Sequence, residues 1–147
     1  EEYLDNEKYE IKRWDVDQPH SLREVIALIN RIRHAHPALQ QDRTLTFHHV
    51  DNDQLLLYSK SDEVSGDVIL VAVNLDPHHV QAGMTWLDLD ALGVADDEEF
   101  EVHDLFAGGT YRWRGGENYV ELEPHISPAH VFEVRTHSTE HDHERNR

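Results

Sequence analysis

Cysteine is absent from this sequence of 147 residues, which also contains a single methionine. The absence excludes disulfides, thiolate metal sites and a cysteine nucleophile. It is compatible with a reducing compartment, and we expect a cytoplasmic protein. Long apolar runs are absent too, since none approaches the roughly 20 residues that span a bilayer. The opening segment, Glu1 to Asp5, lacks the basic start and the apolar stretch of a signal peptide, so we expect no membrane partner.

Positive charge is scarce. Thirteen Lys and Arg residues stand against 30 Asp and Glu residues, which gives a net charge of −17 with neutral histidines. Binding to a phosphate backbone requires clustered cations, and a surface this acidic repels a polyanion. The same repulsion acts at an anionic membrane face. We therefore expect neither nucleic acid nor a membrane among the partners of this protein.

Helical periodicity is confined to one segment, Ser21 to Ala35. Its apolar residues recur at spacings of three and four, which places them on one face of a helix. Ser21 followed by Glu24 is a capping-box pattern, and it predicts the start of the helix. His36-Pro37 predicts its end, because the residue before a proline disfavours the α region. The apolar positions are Leu22, Val25, Ile26, Ile29 and Ile32.

After Pro37 the pattern has period two, which is typical of strands. The breaks between these segments carry turn residues such as Asp76-Pro77, Gly108-Gly109 and Gly115-Gly116. Seven or eight short strands without helices between them predict an antiparallel β-sandwich or barrel. The expected strands are Leu45 to Val50, Gln54 to Lys60, Val68 to Leu75, Met84 to Leu89, Phe100 to Leu105, Thr110 to Arg114, Tyr119 to Glu123 and His130 to Arg135.

Thirteen histidines raise the question of a metal site. The pairs His48-His49 and His78-His79 are adjacent, and neighbours on a strand point to opposite faces, so neither pair can chelate one ion in extended conformation. No spacing brings four ligands together as a structural zinc site requires. Nucleotide-binding glycine motifs and a Gly-x-Ser-x-Gly elbow are also missing. We expect no metal, no cofactor and no catalytic residue in this chain.

Aromatic residues give a softer signal. Tyr111 and Trp113 alternate on one predicted strand and therefore share a face, and Tyr119 follows across the Gly115-Gly116 turn. In one interpretation, these rings form a surface on which sugar rings stack. In the other they pack into the core or against a neighbouring domain.

The lead-in, residues 1–15, is dense in charge and aromatic residues. Lys8, Lys12 and Arg13 neutralise nearby acids in the simpler interpretation, which makes this segment a solvated loop. In the alternative, Lys8 and Tyr9 offer an ammonium and a hydroxyl to an anionic ligand such as a phosphate. The residues alone leave both interpretations open.

Several segments carry a resemblance to a known family. The run from Ile29 to Leu39 resembles the end of the last barrel helix in the α-amylase superfamily, glycoside hydrolase family 13. The whole set is similar to the C-terminal portion of bacterial α-1,4-glucan:maltose-1-phosphate maltosyltransferases, and the similarity runs from Glu1 to about Val134. The segments are 1–10 EEYLDNEKYE, 29–39 INRIRHAHPAL, 47–53 FHHVDND, 71–79 VAVNLDPHH and 118–124 NYVELEP.

The resemblance implies a fold and a division of the chain. Residues 1–38 would be the end of a (β/α)₈ barrel that is otherwise absent, with a donor-site loop and the last barrel helix. Residues 39–135 would form a C-terminal β-sandwich like that of α-amylases. The His-rich tail, residues 136–147, has no apolar residue and is expected to be disordered.

The resemblance also implies a function for the parent protein. Its family transfers maltosyl units from α-maltose 1-phosphate to α-1,4-glucan, and Lys8 and Tyr9 match the pair that contacts the donor phosphate. The retaining mechanism uses carboxylates on earlier barrel strands, so this chain would not be catalytic alone, and the parent would be a homodimer. Two alternatives stay open: a free-standing α-glucan-binding module, and the C-terminal domain of another family 13 enzyme such as a trehalose synthase or an amylase.

Overall fold

The computed structural model describes residues 19–136. Helix α1 (Pro19–Ala35) begins two residues before the predicted start, so Ser21 is not its N-cap residue and the capping-box prediction was wrong. Proline is favoured in the first helical turn because its fixed φ suits the helix and its missing N–H has no partner there. The helix ends before His36-Pro37 as predicted, and His36 is extended. A short 3₁₀ turn, Pro37–Gln40, follows.

Eight antiparallel strands follow the helix, and the prediction of a mainly β antiparallel fold preceded by one amphipathic helix is confirmed. They form one curled sheet in the order β6-β5-β8-β3-β2-β1-β4-β7. The strands are β1 (Thr46–Val50), β2 (Leu55–Ser61), β3 (Val68–Asn74), β4 (Gln81–Trp86), β5 (Glu99–Asp104), β6 (Thr110–Arg114), β7 (Tyr119–Leu122) and β8 (Ala129–Arg135).

The segment predicted as a strand from Met84 to Leu89 contains the largest difference. Strand β4 ends at Trp86, and a one-turn helix, α2 (Leu89–Leu92), follows. The Asp88 carboxylate accepts the Ala91 N–H at the start of that turn, and Gly93 ends it at a φ of 70°. An N-cap aspartate and a left-handed glycine are strong helix signals. These two signals were overlooked because the apolar residues of this segment alternate as they do in a strand.

The concave side of the sheet encloses one core. Alternate side chains from both ends of the strand order meet there, with Trp113 of β6 and Leu122 of β7 in the same cluster as Leu70 of β3. The sheet must therefore curl so that its ends approach each other. Phe132 of β8 lies among the aromatic residues, with its ring centroid 5.4 Å from that of Trp113.

The convex side of the sheet is covered only in part. The 3₁₀ turn places Ala38 over Ile69 and Val71, so β3 is buried on both faces as predicted for a central strand. The Asp67 carboxylate holds this turn in place, since it accepts the Ala38 N–H at 3.1 Å and contacts Nδ1 of His36 at 2.9 Å. The end of α1 is thereby fixed to the start of β3.

Helix α1 buries only a part of its apolar face. Val25 packs with Phe106 and Ala107, next to the loop that follows β5. Leu22, Ile26 and Ile29 are exposed, and 52% of Ile26 is accessible to solvent. Because one face of an amphipathic helix normally meets an apolar surface, this exposed row has no partner among residues 19–136.

The turn between β6 and β7 is attached to β4. The Thr85 hydroxyl donates to the Gly116 carbonyl at 2.8 Å and accepts the Asn118 N–H at 3.1 Å. Gly116 is needed at this contact, because a Cβ there would lie 2.8 Å from the Leu87 carbonyl oxygen. These contacts set β7 beside β4 rather than in a hairpin with β6.

We predict that Thr85→Val destabilises the chain. Valine keeps the shape of the buried side chain but removes both hydrogen bonds and leaves the Asn118 N–H unpaired, which costs about 1–3 kcal/mol. Urea denaturation followed by circular dichroism measures the change. The control is Thr46→Val, since that hydroxyl makes only a 3.3 Å bond to the Thr44 carbonyl near the surface. Equal losses in the two variants would contradict the role of Thr85.

We also predict a pH dependence that originates at His48. Its Nδ1 accepts the Asp88 N–H at 3.0 Å, so the neutral ring carries its proton on Nε2, 2.8 Å from Ser59 Oγ. Burial lowers the pKa of His48 despite the opposing charge of Asp88. Below about pH 6.5 the unfolded chain therefore binds more protons than the folded chain does. The free energy of unfolding consequently decreases as the pH falls.

The measurement is urea denaturation at several pH values between about 7.5 and 5.5. His48→Gln is expected to lose less stability over this interval than the wild type does. His49→Gln, whose side chain lies exposed on the opposite face of β1, should follow the wild-type slope. An unchanged slope in His48→Gln would show that other groups carry the dependence.

Candidate functional site

The sequence-predicted residues lie in two parts of the chain. Lys8 and Tyr9 are outside the described residues. Tyr111 and Trp113 lie on β6 and share a face, as their alternation predicts. That face is the concave one: Trp113 is 6% exposed, and the ring centroids of Trp113 and Tyr111 lie 5.4 and 6.0 Å from that of Phe132. For Trp113 the geometry is that of a core residue, and its Nε1 is buried without a hydrogen-bond partner.

A cleft of about 250 Å³ separates the two ends of the sheet. Strands β6 and β7 follow each other along the chain, yet they occupy opposite ends of the strand order, so each is an edge strand in the described fold. Apolar side chains of the core form the floor of the cleft. The groups around it that can form hydrogen bonds come from both ends and include Tyr111, Tyr119, Glu121, Glu123, Ser127 and His130.

A buried carboxylate fixes one wall of this cleft. Asp104 is 1% exposed, and its Oδ1 accepts the backbone N–H groups of Phe106 and Val131 at 3.0 and 3.1 Å. Its Oδ2 lies 2.6 Å from Nδ1 of His130. The His130 ring stacks on Phe132 with its centroid 5.1 Å away. Because the partners of Asp104 come from the loop after β5 and from β8, the side chain of His130 is held at a fixed position in the cleft wall.

The convex side of β1, β4 and β7 carries exposed aromatic residues, of which only Tyr119 stood out in the sequence pattern. Phe47 and Trp86 are 65% and 54% exposed, and Tyr119 is 46% exposed. Cross-strand pairs connect the three strands on this side: His49 lies opposite Trp86, and Met84 lies opposite Tyr119. We call this surface the aromatic face, and its members are Phe47, His49, Met84, Trp86 and Tyr119.

Ring contacts join the aromatic face to the rest of the sheet. The rings of His49 and Trp86 have centroids 6.1 Å apart, and those of Phe47 and Tyr58 are 6.2 Å apart. Tyr58 in turn packs against the cluster under the 3₁₀ turn. On the edge strand β7, Tyr119 belongs both to the aromatic face and to the lining of the cleft. The alternation of Phe47 with His49 and of Met84 with Trp86 was the available sequence signal.

The two uncovered surfaces differ in chemistry. The exposed row of α1 is aliphatic, which suits a protein partner. The aromatic face combines rings with a histidine and lies beside acidic residues such as Glu121, which suits a ligand with both apolar and hydroxyl-bearing sides. In residues 19–136, no three His, Asp or Glu side chains converge as a metal site would require. The same part of the chain contains no helix long and apolar enough to cross a membrane.

The chain is similar to known proteins in sequence and in fold. The family model described as "GLGE, C-terminal" matches residues 47–134. Among curated relatives, the α-1,4-glucan:maltose-1-phosphate maltosyltransferase of Chlorobaculum tepidum is 46% identical, over 91% of this chain and 21% of that protein. The corresponding protein of Mycolicibacterium smegmatis is also 46% identical, over 91% of this chain and 20% of its own length. The chain thus spans about a fifth of these relatives.

A solved structure shows the same fold at low sequence similarity. The crystal structure of an Anoxybacillus α-amylase superposes with a TM-score of 0.53, covering 77% of this chain and 22% of the amylase, at 18% identity. This likeness concerns the fold alone. The match of the family model, which extends over more than half of the chain, decides the family. The chain belongs to the GLGE C-terminal family.

Proposed function

We propose that this chain acts as the C-terminal part of an α-1,4-glucan:maltose-1-phosphate maltosyltransferase. The observation that carries the proposal is an identity of 46% over nine-tenths of the chain with proteins of that name. The reaction is the transfer of maltosyl units from α-maltose 1-phosphate to an α-1,4-glucan. Because the chain corresponds to a fifth of those relatives, we assign it a supporting role and no catalytic residue.

The supporting role is to cover and stabilise a larger domain. The exposed aliphatic row of α1 supports this, since Leu22, Ile26 and Ile29 leave an apolar surface for which residues 19–136 provide no cover. The Asp67 contacts that fix the end of α1 to the sheet support it as well, because they make helix and sheet one rigid support. We further propose that the parent protein is a cytoplasmic homodimer, as the resemblance implies.

We also propose that Lys8 and Tyr9 bind the phosphate of the donor. A phosphate carries up to two negative charges, and the chain has a net charge of −17. A cation and a hydroxyl donor at fixed positions therefore have to offset strong repulsion. The resemblance implies that Lys8 and Tyr9, in the run Glu7-Lys8-Tyr9, correspond to the family's phosphate-contacting pair.

The first prediction concerns the isolated chain. Incubated with α-maltose 1-phosphate and maltohexaose, it should release no inorganic phosphate, because the proposal places the reacting groups elsewhere in the longer protein. A colorimetric phosphate assay measures this. The longer protein that contains this sequence is the positive control and should release phosphate. Turnover by the pure chain, or none by the longer protein, contradicts the proposal.

The second prediction concerns the donor site in that longer protein. Lys8→Ala should lower kcat/KM for α-maltose 1-phosphate by roughly tenfold to a hundredfold, since one charge-assisted hydrogen bond to an anion contributes about 1.5–3 kcal/mol. Lys12→Ala removes the same charge four residues later and is the matched control. If the two variants lose activity equally, the effect is one of overall charge and Lys8 has no specific role.

A further inference from the structure

We propose that the aromatic face binds a linear α-1,4-glucan, separately from the site where maltosyl transfer occurs. The inference rests on the proposed function for the identity of the polymer and on the structure for the surface. Its members, defined above, extend across three adjacent strands on the convex side of the sheet. None of them belongs to the residues assigned to the donor site.

Exposure is the first argument. Large aromatic side chains bury most of their area in a folded protein, so three exposed rings on one face mark an interaction surface. Phe47, Trp86 and Tyr119 are each about half exposed or more. The strands that carry them are nonetheless anchored in the core by the intervening residues His48, Thr85 and Val120, all buried. The rings therefore stand on a rigid support.

Chemistry of the ligand is the second argument. A glucosyl ring has apolar C–H faces, whose slight positive charge suits the negative face of an aromatic ring, and a rim of hydroxyl groups. Beside the rings of Trp86 and Tyr119 lie the imidazole of His49 and the carboxylate of Glu121. These groups can donate to and accept from hydroxyls at the edge of a stacked sugar.

Charge is the third argument, because it disfavours polyanions as ligands of this surface. A chain with a net charge of −17 disfavours nucleic acid and other polyanions, whereas a neutral polymer meets no repulsion. The exposed row of α1 is aliphatic and offers no ring on which a sugar can stack, so the aromatic face is the one of the two uncovered surfaces that suits a glucan.

Shape is the fourth argument. Tyr119 stands at the border between the aromatic face and the cleft of about 250 Å³. Glu121 and His130 are also in the cleft lining. A glucan lying across β1, β4 and β7 reaches this hollow at β7, where a glucosyl unit finds polar groups on both sides. The geometry points to a surface for several glucosyl units, with one end lowered into the cleft.

The test measures binding of maltoheptaose to the full 147-residue chain by isothermal titration and by the indole N–H resonances of the ¹⁵N-labelled protein. We expect saturable binding with a Kd of about 1 mM or tighter. The indole N–H resonance of Trp86 should shift as the sugar is added, whereas that of the core residue Trp113 should shift less. Single Trp→Phe variants assign the resonances.

Trp86→Ala and Tyr119→Ala should each weaken binding at least about tenfold. Ile26→Ala is the matched control, because Ile26 is as exposed as Trp86 but lies on α1. Unchanged thermal melting confirms that each variant is folded. No saturable binding up to about 10 mM sugar, equal loss in the control, or sedimentation showing that Trp86→Ala abolishes self-association instead would each overturn the proposal.

This result is independent of the maltosyl-transfer assay. Binding of maltoheptaose involves no maltose 1-phosphate and no turnover. A longer protein that fails to release phosphate would contradict the proposed function and leave the measured sugar binding intact. Loss of binding with normal phosphate release would contradict only the role of the aromatic face.

Discussion

The shared core between the two ends of the sheet is the constraint on which the other features depend. Trp113 from one end of the strand order and Leu122 from the other lie in one apolar cluster with the central strands. Burial of these side chains forces the sheet to curl, since a flat sheet would separate them by the width of eight strands. The curl brings two edge strands close together and leaves a cleft between them.

The convex side of the sheet has a covered part and an uncovered part. Over β3 the 3₁₀ turn supplies Ala38, and the Asp67 carboxylate holds that turn in position. Over β1, β4 and β7 nothing in residues 19–136 takes this role, and most of the exposed side chains there are aromatic. Helix α1 adds a second uncovered surface that is aliphatic. A support for a larger domain and a sugar-binding surface are therefore compatible, because α1 packs next to Val131 of β8, whereas the aromatic face lies on β1, β4 and β7.

Several elements could be predicted from local chemistry. Helix α1 ends where His36 precedes a proline, β1 and β2 pair across an Asp-Asn-Asp turn, and β3 is an apolar run buried on both faces. Helix α2 was missed although Asp88 and Gly93 are typical capping residues, because alternating apolar positions on either side favoured a strand. The start of α1 was misplaced because a capping-box pattern occurs inside the helix.

The candidate site was less predictable than the fold. Alternation showed correctly that Tyr111 and Trp113 share a face, but alternation alone cannot distinguish the concave face from the convex one. The same limit applied to Phe47 and Trp86, because here the polar neighbours His48 and Thr85 are buried and the aromatic residues are exposed. Which face is covered depends on strands and turns that are distant in the sequence.

The sequence by itself determined the antiparallel β class, the single amphipathic helix, the acidic surface and the resemblance to a family, because periodicity, charge and motifs are local properties of the chain. Only the tertiary structure decided that β7 pairs with β4 and not with β6, that Trp113 is buried while Trp86 is exposed, and that half of the apolar face of α1 stays uncovered. These outcomes depend on the curl of the sheet. The curl results from burying side chains that lie far apart along the chain, so no local sequence pattern predicts it.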